Sequence, residues 1–253
     1  MDSHVGPLKR IADFAHAHDT PIGIQLAHAG RKGSVMPPWI YENAPKTFKA
    51  PRRLALEEEG GWPNSGLWLP AVAFQALTDP FRWIVYGPSD IPFNDEYPKP
   101  IPMTENDLQR VEDAFVAAVE RCKQVGFDFI EVHAAHGYLL ASFLSPISNT
   151  RTDEFGGQSL ENRMRFPLRL IKRLREAWTD KPLFVRVSGT EWAGDEQDKD
   201  GNWLTWGLEQ SKVFTKELHK IGVDLIDVSS GGNYSKQELP TTPGYQVCPL
   251  HST

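Results

Sequence analysis

The chain has 253 residues, 40% hydrophobic and 24% charged, enough apolar material for one or two folded domains and far from the composition of a disordered chain. A net charge of −6 argues against a nucleic-acid surface, which needs clustered Lys and Arg. No apolar run reaches membrane-spanning length. The first residues lack the basic and apolar regions of a secretory signal, so a cytoplasmic location is expected.

Residues 5–18 read as an amphipathic helix with Leu8, Ile11, Ala12 and Ala15 on one face. Asp19-Thr-Pro stops it, and residues 22–28 follow as a strand. From about 31 to 101 the chain is rich in Pro, Gly and Trp and holds no sustained period. A loop of that length in a compact domain is usually a lid or a binding loop. An unstructured insertion is the other reading, but its aromatics, Trp39, Trp62, Trp68, Phe74, Phe81 and Trp83, argue for packing against something.

Regularity resumes at Thr104, a good N-cap with acidic residues in the turn behind it. The helix runs to Gln124 and stops at Gly126. Cys122 continues its apolar series Leu108, Val111, Phe115 and Val119, which makes this thiol core filler. With Cys248 it is one of two cysteines, so no disulfide framework is implied. The next strand spans 129–133, and a helix capped by Ser159 runs to Trp178. A strand at 182–188, a helix at 206–221 and a strand at 223–229 complete the series. Helices alternating with strands across short turns mean a parallel sheet with right-handed crossovers.

The strand Phe129-Ile-Glu-Val-His133 hands over to Ala-Ala-His136-Gly-Tyr138, where a (β/α)₈ barrel carries its chemistry. Two imidazole donors and a phenol suit a reaction that places negative charge on a carbonyl oxygen and then needs a proton. A bare His-x-x-His is also a common structural pair, or two ligands of a metal. No third ligand of convincing spacing accompanies it. Strand alternation puts Gly23, Gln25 and Ala27 on one face, Phe129, Glu131 and His133 on another, and Phe184, Arg186 and Ser188 on a third. A charge facing a barrel interior needs a partner or a ligand, and Glu131 is the candidate partner for Arg186. A purely structural Glu–Arg pair is the other reading of those two residues.

The sequence resembles the old yellow enzyme family, in its bacterial and fungal branch with the doubled histidine. The resemblance rests on Gly23-Ile-Gln25-Leu-Ala-His-Ala-Gly-Arg31-Lys, Gly87-Pro-Ser-Asp-Ile-Pro-Phe, His133-Ala-Ala-His136-Gly-Tyr138-Leu-Leu, Asn149-Thr-Arg-Thr-Asp153-Glu-Phe-Gly-Gly157-Gln-Ser-Leu-Glu-Asn-Arg163 and Val185-Arg186-Val-Ser. These occur in the family's order and cover nearly the whole chain. The resemblance implies an FMN-containing (β/α)₈ barrel that takes hydride from NADPH or NADH and passes it to the activated C=C of an α,β-unsaturated carbonyl compound. It implies that His133 and His136 hold the substrate carbonyl oxygen and that Tyr138 protonates the α-carbon. It also implies that Gln25 and Arg186 contact the flavin. The matched stretch Asn149 to Arg163 reads mainly as scaffold: its double glycine makes a tight turn, Ser159 caps the helix behind it, and Arg151 and Asp153 tie the loop down.

Measured against the family, the chain is expected to carry only strands three to six of the barrel. It then lacks the strand bearing a potential-tuning cysteine and the glycine-rich strands that bind the FMN phosphate. The tail at 248–253 leaves the family pattern. A non-catalytic fragment acting by association is therefore the alternative to a working reductase, and exposed strand edges make self-association the expected behaviour. Family members are often homo-oligomeric. The branch points to a tailoring step in small-molecule biosynthesis, with no metal and no membrane or nucleic-acid partner.

Overall fold

The computed structural model describes residues 2–33, 85–95 and 97–239. Most of the lid-like segment, with its six named aromatics, lies outside the described residues, as do Cys248 and the tail.

Helix α1 (Val5–His16) ends two residues before the sequence predicts, and Asp19 takes a left-handed turn at φ 53°. Its inward stripe is narrower than expected. Ala12 is fully buried and Val5 and Leu8 pack on the core, whereas Ile11 points outward and is 56% exposed. Strand β1 (Gly23–Leu26) follows, with Asp128 accepting from the Ile22 N–H at its start. A parallel pair of two-residue strands, β2 (Tyr86–Gly87) and β3 (Ile101–Pro102), forms a separate small sheet.

Helix α2 (Glu105–Val125) begins with a reciprocal capping box: Thr104 accepts from the Asp107 N–H while the Asp107 carboxylate accepts from the Thr104 N–H. It ends on Gly126 at φ 92°, a left-handed cap that glycine adopts without steric cost. Strand β4 (Phe129–Ala134) leads into α3 (Leu139–Leu144), a single buried helical turn and a half that periodicity alone does not reveal. Helix α4 (Leu160–Ala177) is capped by Ser159, as the sequence predicts. Strand β5 (Leu183–Ser188), helix α5 (Leu208–Ile221) and strand β6 (Leu225–Ser229) complete the described series.

The large sheet has the order β1-β4-β5-β6, every pair parallel. One face is apolar throughout. Ile130, Val132, Leu183 and Val185 are fully buried there against Leu108, Val119, Leu170, Leu174, Phe214 and Leu218 of the helices. Cys122 is buried in this core, and burial pushes its thiol up to about 11. The opposite face carries the polar side chains, so the period of two along each strand separates stability from chemistry.

Candidate active site

Parallel register stacks the polar face in rows. The lowest useful row is Gln25, Glu131, Phe184 and Leu225. The next is His133, Arg186 and Asp227, and Ser188 pairs with Ser229 above it at the C-terminal strand ends. Cross-strand neighbours in a row are the side chains that meet. Gln25 Nε2 accordingly donates to Glu131 Oε2 at 2.5 Å, and Arg186 Nε lies 3.1 Å from Asp227 Oδ2. The expected Glu131–Arg186 pair is thus corrected: Glu131 sits one row below Arg186, opposite Phe184 and Gln25. Asp227 is the partner, and the strand that carries it was read without assigning it a role. The Arg186–Asp227 contact is an ion pair by distance only. Arg186 Nε is buried and makes no hydrogen bond.

His133, the last residue but one of β4, is buried to 6% exposure. The chain then turns through His136 at φ 57°, a left-handed conformation that costs a non-glycine residue about 1–3 kcal/mol and persists only where its surroundings enforce it. Three contacts enforce it here. The His136 N–H donates to Ser188 Oγ at 2.9 Å. Lys32, from the loop after β1, donates to the His136 carbonyl at 3.0 Å and to the Gly232 carbonyl at 2.8 Å. Gly232, beyond β6, packs so tightly that a Cβ there would stand 2.5 Å from the His136 Cα.

The outcome is a compact cluster. His136 Nδ1 lies 3.1 Å from His133 Nε2, and His136 Nε2 lies 2.5 Å from Ser229 Oγ. The Tyr138 ring, just before α3, stands 4.8 Å from the His133 ring. Burial first, then the charges of His136 and Arg186, pushes His133 down to about 4. Burial, Arg186 and Lys32 likewise hold His136 below its ordinary value. Both imidazoles are neutral at pH 7, so each has one N–H to give.

A second polar network, drawn from the loops that follow the strands, locks those loops together. Arg31, 1% exposed, donates to the carbonyls of Ile91, Pro92 and Asn233 and to Asn233 Oδ1. Glu191 accepts from Ser145 Oγ, the Trp206 N–H and Asn233 Nδ2. Burial lowers Arg31 to about 10 and raises Glu191 above the usual carboxylate range. The loop-tying role expected of Arg151 and Asp153 is also seen. Arg151 donates to both Asp153 oxygens and to the carbonyls of Pro88 and Met103.

The structure therefore brings His133, His136 and Tyr138 together and places Gln25 and Arg186 on the same sheet face. Sequence reasoning missed Ser229, Asp227, Lys32, Glu191 and Asn233. The parity that placed Ser188 on the Arg186 face would have placed Asp227 and Ser229 the same way. Nothing comparable signals the loop residues. Among the described residues no group of three or more His, Cys, Asp or Glu side chains is arranged to hold a metal, and no helix is long and apolar enough to cross a membrane.

Parallel strands alternating with helices, with polar side chains gathered at the C-terminal strand ends, place the protein in the α/β class. The chain belongs to the NADH:flavin oxidoreductase / NADH oxidase family, whose model matches residues 81–244. It is 42% identical over 250 residues to an NADH:flavin oxidoreductase of Gibberella zeae, covering 97% of this chain and 54% of that protein. It is 36% identical over 246 residues to the NADPH dehydrogenase of Geobacillus thermodenitrificans, covering 97% and 55%. Old Yellow Enzyme from Pichia sp. AKU4542 aligns with a TM-score of 0.60 at 23% identity, over 87% of this chain and 48% of that one, a likeness of fold. The fold is that of a (β/α)₈ barrel, and the described sheet holds four of its strands. The chain spans about half the length of the curated relatives it matches.

Proposed function

We propose that this chain carries the substrate-polarising side of an FMN-dependent oxidoreductase that reduces the activated C=C of α,β-unsaturated carbonyl compounds with NADPH or NADH. The observation that carries the reading is the His133–His136–Tyr138 cluster, seated one row above Gln25 and Glu131 on a single sheet face. The residues present fit a flavin. Gln25 offers an amide on a strip flanked by the small Gly23 and Ala27. Arg186 keeps a buried N–H without a hydrogen-bond partner among the described residues, ready for a ring carbonyl or nitrogen. Gln25 and Arg186 would hold the ring, and FMN, when bound, supplies the hydride that reaches the substrate β-carbon.

The chain's own groups do the rest. His133 and His136 hold the carbonyl oxygen where enolate charge develops, which favours the transition state over the ground state. The Tyr138 hydroxyl delivers a proton to the α-carbon. A cytoplasmic site of action belongs to this reading and is supported by the scarcity of cysteine.

The test separates the two half-reactions by stopped flow, on a flavin-loaded form with the relatives' full length. His133→Ala and His136→Ala should each slow enone reduction about 10²–10³-fold, the usual effect of losing one oxyanion donor. Flavin reduction by NADPH should stay within a small factor of wild type. Equal losses in both halves would refute the assignment.

A further inference from the structure

The hydrogen bonds around the two imidazoles run in one direction, and that direction assigns a role to a residue outside the cluster. The Ala135 N–H donates to His133 Nδ1 at 3.2 Å, so this nitrogen is an acceptor and the neutral ring carries its proton on Nε2. His133 Nε2–H then faces His136 Nδ1 at 3.1 Å, which must accept. The His136 proton is left on Nε2, pointing at Ser229 Oγ 2.5 Å away. Ser229 is 1% exposed, and His136 is the sole side-chain hydrogen-bond partner of its hydroxyl among the described residues. The neighbouring serine in the same row, Ser188, is already committed. Its hydroxyl accepts from the His136 N–H and donates to the Gly231 carbonyl.

We infer that Ser229 is a positioning residue whose hydroxyl selects the tautomer of His136, and with it the number of N–H donors the pair presents. With Ser229 accepting, His133 Nε2–H is given to His136 Nδ1 and His136 Nε2–H to Ser229, so neither ring has an N–H free for a ligand. With the Ser229 hydroxyl rotated to donate into Nε2, His136 carries its proton on Nδ1, beside His133 Nε2–H, and both N–H groups can point at one oxygen. In that exchange one proton leaves Nε2 to water as another is taken up at Nδ1, so the net charge of the ring is unchanged. Hydroxyl rotation supplies the reversal because a serine hydroxyl both donates and accepts. The assignment of the tautomer rests on geometry alone. Its consequence for catalysis rests on the carbonyl-binding reading above.

The experiment reads the imidazole nitrogens of the ligand-free chain by long-range ¹H–¹⁵N correlation at pH 7.5, with resonances assigned by single His→Asn substitutions. The expected pattern is protonated Nε2 and bare Nδ1 on both His133 and His136. Ser229→Ala should lower the Nε2–H to Nδ1–H ratio of His136 about fivefold, the size of one ordinary hydrogen bond, and Ser229→Thr should restore it. His133 should keep its tautomer throughout, because the Ala135 N–H fixes it. A proton on His136 Nδ1 in the unsubstituted chain would overturn the inference without recourse to any variant. So would a Ser229→Ala chain with unchanged backbone amide shifts and an unchanged ratio. None of these readouts uses flavin or enone. Failure of the half-reaction test would remove the carbonyl reading and leave the tautomer result standing.

Discussion

At the scale of single residues, His133 and His136 are neutral because they are buried beside cations, and this has a consequence for folding. An imidazole held at about 4 in the fold takes up its proton more readily in the unfolded chain, where the ordinary value near 6.5 applies. Stability is therefore full above about pH 6.5 and falls as pH drops toward 4. Below that it changes no further on this account. His28, pushed down to about 4 by burial, acts in the same sense. The urea midpoint is expected to fall between pH 7 and pH 5, and His133→Asn should flatten that fall. An identical pH slope in the variant would show that His133 contributes nothing to it. Tyr138 gives a separate expectation: Tyr138→Phe should slow turnover of enones at least tenfold and leave quinones, which need no carbon protonation, near wild type. An equal loss with quinones would make Tyr138 a packing residue against His133. Both histidines and Tyr138 were legible in the sequence because they lie within six residues at a strand end. Strand parity would have put Ser229 on the Arg186 face, but the contacts of Ser229 and Lys32 with His136 were not legible, since they span 93 and 104 positions and no local pattern encodes such a pairing.

At the scale of elements, helix boundaries were readable wherever a cap is local. Thr104 with Asp107, and Ser159 with the Asn162 N–H, lie within one turn of the helices they start. Pairings between elements were less readable, because register decides them, and the Glu131–Arg186 error came from parity without register. One inter-helix tie shows what such pairings contribute. Glu112 on α2 is 1% exposed and accepts from Arg169 Nε at 2.5 Å and Arg173 Nη1 at 2.9 Å, both on α4. The guanidiniums are a third exposed, so solvent screens part of the attraction. Glu112→Ala is expected to cost about 2 kcal/mol, in the range of hydrogen bonds to charged groups, read as a shift in the urea midpoint at unchanged slope. The exposed Lys9–Asp13 pair on α1 should be near silent when broken. Gly232→Ala is the sharper probe of the site. Its added Cβ meets the His136 backbone at 2.5 Å, and φ there is 88°. The loops after β4 and β6 should separate, displacing the His136 imidazole resonances while leaving those of His28 in place. Unmoved His136 resonances would mean that the two loops yield without disturbing the cluster.

At the scale of the molecule, the described sheet has two free edges, β1 and β6, since no strand among the described residues pairs outside either of them. A closed barrel has no such edges. An unpaired parallel edge presents a row of N–H and C=O groups to any chain that can align with it. Here apolar surface accompanies the polar rows: Leu225 on β6 is 44% exposed, and Ile11 and Phe14 on α1 are 56% and 68% exposed. The inner face is open as well, with Gln25 exposed and Arg186 only partly covered. The two residues proposed to hold the flavin, Gln25 and Arg186, would give a cofactor on this open face little enclosure, whereas tight small-molecule sites bury most of their ligand. The chain expressed by itself is therefore expected to associate through its strand edges and to retain FMN weakly. Light scattering behind size exclusion should return a mass above one chain that rises with loading concentration, and the purified protein should be nearly colourless. A lysine substitution at the exposed Leu225 on the β6 edge should lower that mass, because edge charges oppose strand pairing. A yellow, monodisperse monomer with one FMN per chain would show that the edges are covered and the flavin enclosed by residues beyond those described.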